Sequence, residues 1–194
     1  MTSKDSIDTS FVCDPALLFS AYPKSCAGVG LYYGVPQAKL RIVASTVGTY
    51  DADGWTKIYG IFEANAKIME ATGSNSLAFI IGRADKLADI TVDNVLITRA
   101  TNTTTGVRNC DRPIMNGDAE IGDHRFWWIN GGHIENSDMK ITLTQPGYDG
   151  SNYSFKHEGT RKNGRGMLQI LDNSCFEGKF EFGMNYVMIK AELN

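Results

Sequence analysis

With 194 residues the chain is long enough for one domain with a sizeable core, and its 42% hydrophobic and 21% charged residues are ordinary for a globular protein. A net charge of −3 excludes the basic footprint of a nucleic-acid binder. No apolar run approaches the roughly 20 residues that cross a bilayer as a helix, and the start, Met1-Thr2-Ser3-Lys4-Asp5, shows no signal peptide.

The predicted elements, in chain order, are short β-rich runs bounded by Gly, Asn, Asp and Pro. They are Ala38–Ser45, Trp55–Glu63, Ser76–Gly82 and Asp89–Thr98, then Trp127–Ile134, Met139–Thr144, Gly166–Leu171 and Lys179–Leu193. Leu40, Ile42 and Ala44 alternate with Lys39, Arg41 and Val43, the period of a half-buried strand. Two runs change phase. Ile90 and Val92 are in step while Val95 and Ile97 are one residue out, which predicts a β-bulge at Asp93-Asn94. The last run slips near Tyr186. Ile61–Ala71 admits a single helical turn, Asp51-Ala52-Asp53-Gly54 reads as a turn before a strand, and Arg161-Lys162-Asn163-Gly164-Arg165 as a solvated hairpin loop. Twenty glycines and many short strands predict an all-β sandwich. The Thr-rich stretch 100–109 is the clearest linker, between a first part, 1–99, and a second, 110–194.

Asn116-Gly117-Asp118-Ala119-Glu120-Ile121-Gly122, with Trp127 and Trp128 soon after, resembles the opening motif of carbohydrate-binding modules of families four, nine and twenty-two. Ala119 stands where those modules usually carry Phe. Gly166-Met167-Leu168-Gln169 and the run from Lys179 resemble the middle of the same module. Trp55–Phe62 and Asp89–Ile97 resemble its late and closing strands. The resemblance covers most of the chain with the second half first. Either the chain straddles two tandem modules, or its parts fold together as one circularly permuted module. Half a sandwich exposes its whole inner face, which favours the permuted reading. The resemblance implies a galactose-binding-like jelly roll, with the segment at Glu120 beside the strand bearing Asp93.

It also implies candidate sites. Glu120, Asp93 and the weaker Asp118 occupy positions that help bind a structural Ca²⁺ in such modules, a cation that takes six to eight oxygens. Gln169 occupies a position that can face the sugar cleft. Aromatic faces stack on the apolar faces of sugar rings. Trp127 and Trp128 are neighbours, so in a strand one is core and the other a candidate platform. Tyr32, Tyr148 and Tyr153 sit in Gly- or Asn-rich stretches and are candidates for the same cleft, whereas Trp55 reads as packing.

Cys13, Cys26, Cys110 and Cys175 are disulfide candidates; four allow three pairings, and Cys13 to Cys26 is the shortest closure. With the sequons Asn102-Thr103-Thr104 and Asn152-Tyr153-Ser154, they suit an extracellular or cell-surface setting. No nucleophile elbow, phosphate loop, dinucleotide fingerprint or zinc-ligand spacing is present in the sequence. The expected function is therefore non-catalytic binding of a polysaccharide or other glycan, without nucleic acid or membrane insertion, with tandem modules of the same parent as neighbours. The alternatives are an accessory module of a glycoside hydrolase, or an adhesive cell-surface repeat without sugar binding.

Overall fold

A computed structural model describes residues 13–17, 23–33, 39–42, 46–50, 54–64, 77–85, 88–100, 110, 113–129, 140–158, 166–172, 175–176 and 178–190. The strands, in order, are β1 (Gly28–Tyr33), β2 (Lys39–Ile42), β3 (Thr46–Tyr50), β4 (Thr56–Ala64), β5 (Leu77–Gly82) and β6 (Ala88–Arg99). They continue with β7 (Trp128–Ile129), β8 (Lys140–Thr144), β9 (Ser154–Glu158), β10 (Gly166–Leu171) and β11 (Gly178–Lys190). Among the described residues there is no α-helix, and single 3₁₀ turns stand at Pro15–Leu17 and Tyr148–Gly150.

The strands form two antiparallel sheets of a β-sandwich, β2-β1-β5-β10-β7 and β3-β4-β11-β6-β9-β8. Strands from before residue 100 and after residue 110 share each sheet. β11 lies between β4 and β6, and β10 lies between β5 and β7. Neither part owns a sheet, so neither buries its inner face without the other.

Alternation decides what meets in the middle. Val29, Leu31, Leu77, Phe79, Ile81, Met167 and Leu171 enter the core from the five-stranded sheet. Ile58, Phe62, Ile90, Val92, Phe155, Phe180, Phe182, Met184 and Tyr186 enter from the six-stranded sheet. Phe79 meets Phe182 edge-on at 6.3 Å between ring centres, and Trp127 meets Phe155 at 5.7 Å. Each such pair adds about 0.5–1.5 kcal/mol beyond area burial.

The bulge is where the phase change placed it. Leu96 faces Gly183 and Asp93 faces Asn185, so Asn94 and Val95 of β6 stand against Met184 alone. Asn94 takes the extra turn at φ 51°, a conformation Asn tolerates. The second expected slip is absent. Pairing of β11 with β6 runs unbroken from Asn185 to Lys190, through Tyr186. The apparent change of phase arises because both faces are buried there: Tyr186 and Met188 lie inside, and Asn185 and Val187 are covered on the other face.

The helical turn expected in Ile61–Ala71 is corrected over its first residues, since Ile61–Ala64 complete β4 and pair with Gly178–Glu181. Residues 65–71, 101–109, 130–139 and 161–165 lie outside the described residues, with the expectations that fall on them. Cys13–Cys26 and Cys110–Cys175 are both disulfide-bonded, across separations of 13 and 65 residues. By loop-closure entropy they are worth about 3 and about 4 kcal/mol.

Candidate functional site

The segment 113–127 is a series of turns without a strand, fastened to both sheets. Val95 N–H donates to the Gly117 carbonyl at 2.9 Å, which sets the segment beside the strand bearing Asp93. Residue 117 must be glycine, since a Cβ there would stand 2.0 Å from the Val95 carbonyl oxygen. Asn116 is the hub of the turn. Its Oδ1 accepts from Ile121 N–H at 3.3 Å, its Nδ2 donates to the Asp123 carbonyl at 2.9 Å, and its own carbonyl accepts from Trp127 Nε1–H at 3.1 Å. Ala119, in place of the expected Phe, is wholly buried at φ 59°.

This anchoring aims the two tryptophans. Trp127 is 2% exposed in the core, and Trp128, one residue on, is 50% exposed on the outer face of the five-stranded sheet. Trp128 stands opposite Leu168, and the register continues through Ile80 to Gly30. Beside that row, Ile170 is 56% exposed and Leu168 is half-buried. The outer face therefore carries an indole and two aliphatic side chains at the β7–β10 edge.

Gln169 does not join them, and its expected place in a cleft is corrected. Alternation turns it inward with Met167 and Leu171, and it is buried. Its Oε1 accepts from Met115 N–H at 2.7 Å and its Nε2 donates to the Met115 carbonyl at 2.8 Å. Both ends of the amide are spent on pinning the loop.

Tyr148 and Tyr153 have neighbours of their own. Tyr148 packs edge-on against Trp55, with ring centres 5.6 Å apart, at the start of β4 in the other sheet. Trp55 is buried, as packing requires. Tyr153 is half-buried against the core. Tyr32 lies on β1, its backbone opposite Ala78, and its side chain is outside the described residues. Of the described side chains expected in one cleft, Gln169 is the one that the fold turns into the interior.

The carboxylates converge on one loop. Asp93 Oδ2 accepts from Tyr148 N–H and Ser151 Oγ–H, both at 2.7 Å, and Oδ1 accepts from Asn94 N–H at 2.7 Å. Glu120 Oε1 accepts from the N–H groups of Asn152 and Tyr153 at 2.8 and 3.0 Å, and Oε2 from Asn152 Nδ2 at 2.7 Å. Gly147 closes the arrangement, since a Cβ there would lie 2.0 Å from Ser151 Oγ and 2.6 Å from Asp93 Oδ2.

The two acids sit in opposite surroundings. Burial pushes the Asp93 carboxyl up, against the pull of its donors, and the nearby Asp118 charge adds to the rise. The Asn152 side chain and the Tyr153 N–H draw the exposed Glu120 down. Asp118 Oδ1 accepts from Glu120 N–H at 3.3 Å. Among the described residues no group of three or more His, Cys, Asp or Glu is gathered to hold a metal ion. Asp93 and Glu120 face N–H and O–H donors with every oxygen.

His157 was missed by the sequence reading. It stands on β9 opposite Ile90 and Ile141 and is wholly buried, with neither ring nitrogen hydrogen-bonded among the described residues. Burial lowers its pKa to about 4, with the Glu158 charge pulling weakly the other way.

No family model matches the chain, and no curated protein or solved structure matches it.

Proposed function

We propose that the chain is a non-catalytic carbohydrate-binding domain of an extracellular or cell-surface protein, which takes the apolar face of a sugar ring on Trp128. The observation that carries this reading is the divergence of two adjacent indoles, one buried and one half exposed beside Leu168 and Ile170. A packed sandwich has no need of an indole on its outer face, and exposed apolar clusters on soluble domains mark contact surfaces. A shallow, wet face buries little ligand, so single-site affinity is weak and tandem copies would raise it by avidity. Two disulfides suit the oxidising compartment in which such a domain would work.

The test is binding to a broad glycan array and to polysaccharide-containing native gels, with Trp128→Ala and Trp127→Phe compared. The reading expects Trp128→Ala to lose binding and Trp127→Phe to keep it. Binding retained by Trp128→Ala would remove the platform. The resemblance also brings a structural Ca²⁺ held by Asp93, Glu120 and Asp118. A cation there would have to displace the donors of residues 148–153. Thermal unfolding with calcium and with chelator tests this separately: a rise in Tm supports the ion, and an unchanged Tm leaves the carboxylates as loop anchors.

A second reading, an adhesive repeat without sugar binding, is favoured by one feature of the opposite face. Tyr59, Ile61 and Leu96 are 47%, 56% and 44% exposed on β4 and β6, with Gly183 between Tyr59 and Leu96 in the register. Loss of self-association or cell adhesion in Tyr59→Ser/Leu96→Ser, with no glycan binding by the parent chain, would favour it.

A further inference from the structure

We propose that Asn152 is a site of N-linked glycosylation, and that Ser154 is retained for that modification and not for the fold. Asn152 is exposed in the loop between the 3₁₀ turn Tyr148–Gly150 and β9, and Tyr153 separates it from Ser154. An acceptor Asn needs Ser or Thr two residues on and any residue but Pro between.

The fold gives Ser154 no reason to be a serine. It is wholly buried on β9, and its hydroxyl has no hydrogen-bond partner among the described residues. A buried, unpartnered hydroxyl is destabilising, and alanine of nearly the same shape would avoid the loss. Thr56 and Thr91 carry hydroxyls in the same condition, but Gly54 and Asp89 stand two residues before them. Only at Ser154, of these three, does the position answer a chemical requirement met before the chain folds.

The folded loop also accepts the product. Asn152 Nδ2 carries two hydrogens and gives one to Glu120 Oε2 at 2.7 Å. Glycosylation takes the other. The amide nitrogen attacks the anomeric carbon of a glycan carried on a lipid pyrophosphate. The bond from that carbon to the phosphate oxygen breaks, the lipid pyrophosphate leaves with the electron pair, and the proton lost by the nitrogen ends on that leaving group or in solvent. The remaining N–H still reaches Glu120, and the glycan extends from an exposed position.

The experiment expresses the full chain behind a secretory leader in animal cells, in an Asn102→Gln background so that a single sequon remains. The 147–158 peptide is read by mass spectrometry before and after an amidase that releases N-glycans and leaves Asp at the site. The expected result is a glycan on Asn152 that disappears in Asn152→Gln and Ser154→Ala and persists in Ser154→Thr. An unmodified Asn152 in the secreted protein, beside a normally glycosylated control, would overturn the proposal. So would a fall in Tm on Ser154→Ala in unglycosylated protein made in a bacterial periplasm, because the hydroxyl would then serve the fold. An unchanged or higher Tm there supports it.

Discussion

Two stretches on the outer faces of the sheets are finished in opposite ways. On the six-stranded sheet, the polar stretch of β6 around Asp93 is roofed by the loop 147–153, and its buried carboxylate accepts from three donors. On the five-stranded sheet, the edge at Trp128, Leu168 and Ile170 is left open and apolar. The contrast separates two kinds of residue. Asp93, Gly147 and Glu120 answer demands of the fold, because buried polar groups need partners. Trp128 answers no such demand, and it is there that a ligand is to be sought.

Breaking the roof is expected to have the largest effect. Asp93→Ala leaves the Tyr148 N–H without its acceptor and the Ser151 hydroxyl with only the Tyr153 carbonyl at 3.4 Å, and Gly147→Ala drives a Cβ into Ser151 Oγ. Each is expected to cost about 3 kcal/mol, read as a Tm loss of about 2–4 °C for every kcal/mol. An unchanged Tm in Asp93→Ala would mean that the carboxylate does not hold the loop.

The interior beneath the roof carries an acid sensitivity. Unfolded, the His157 imidazole takes a proton below 6.5; folded, it resists until about 4. The unfolded state therefore binds more protons in that window, and stability falls as pH drops from 6.5 towards 4. The loss amounts to about 3 kcal/mol once the window is crossed. His157→Leu is expected to abolish this slope in urea titrations run across the window and to stabilise the protein at neutral pH. A slope unchanged by that substitution would place the sensitivity elsewhere.

On the open face, stability and binding should part. Trp128→Ala is expected to change stability by less than about 0.5 kcal/mol while weakening glycan binding about tenfold, the equivalent of about 1.4 kcal/mol. A large fall in Tm would make Trp128 a structural residue like its neighbour.

The smallest effect is expected at Glu120. Its carboxyl is held below the ordinary value of 4.5, so what it contributes is present above that pH and lost as pH falls further. Asp93, pushed above 3.8, has the opposite sign: its protonation just above that pH favours the fold. Because Glu120 is exposed and its donors are neutral amides, Glu120→Ala should lower Tm only slightly. A fall as large as that of Asp93→Ala would make the exposed and buried anchors equivalent.

Many of the strands were readable as short β-rich runs between turn residues, Leu77–Gly82 and Gly166–Leu171 among them. The bulge at Asp93-Asn94 was legible as a change of phase in the alternation along β6. β1, β3 and β9 were not expected. Two of the first three residues of β1 are glycine, and β9 presents His157 as an inward residue, which a polar–apolar pattern counts as outward. The false slip at Tyr186 came from a strand buried on both faces. At the site, adjacency told that Trp127 and Trp128 must diverge, but nothing local told which was buried. Asn116 and Gln169 looked like motif and ligand residues, yet each is spent on backbone groups far from it in sequence or across a turn.

By itself the sequence determined the all-β class, through many short runs between turn residues, and the bulge and the opposed aim of the paired tryptophans, through the alternation of neighbouring side chains. Only the tertiary structure decided that strands from both parts interleave in each sheet, that Gln169 turns inward, and that Asp93 and Glu120 hold the same loop. Those outcomes depend on which strands become neighbours and which loops fold back over them. That is settled by burying both inner faces at once, an energy to which no local stretch of chain has access.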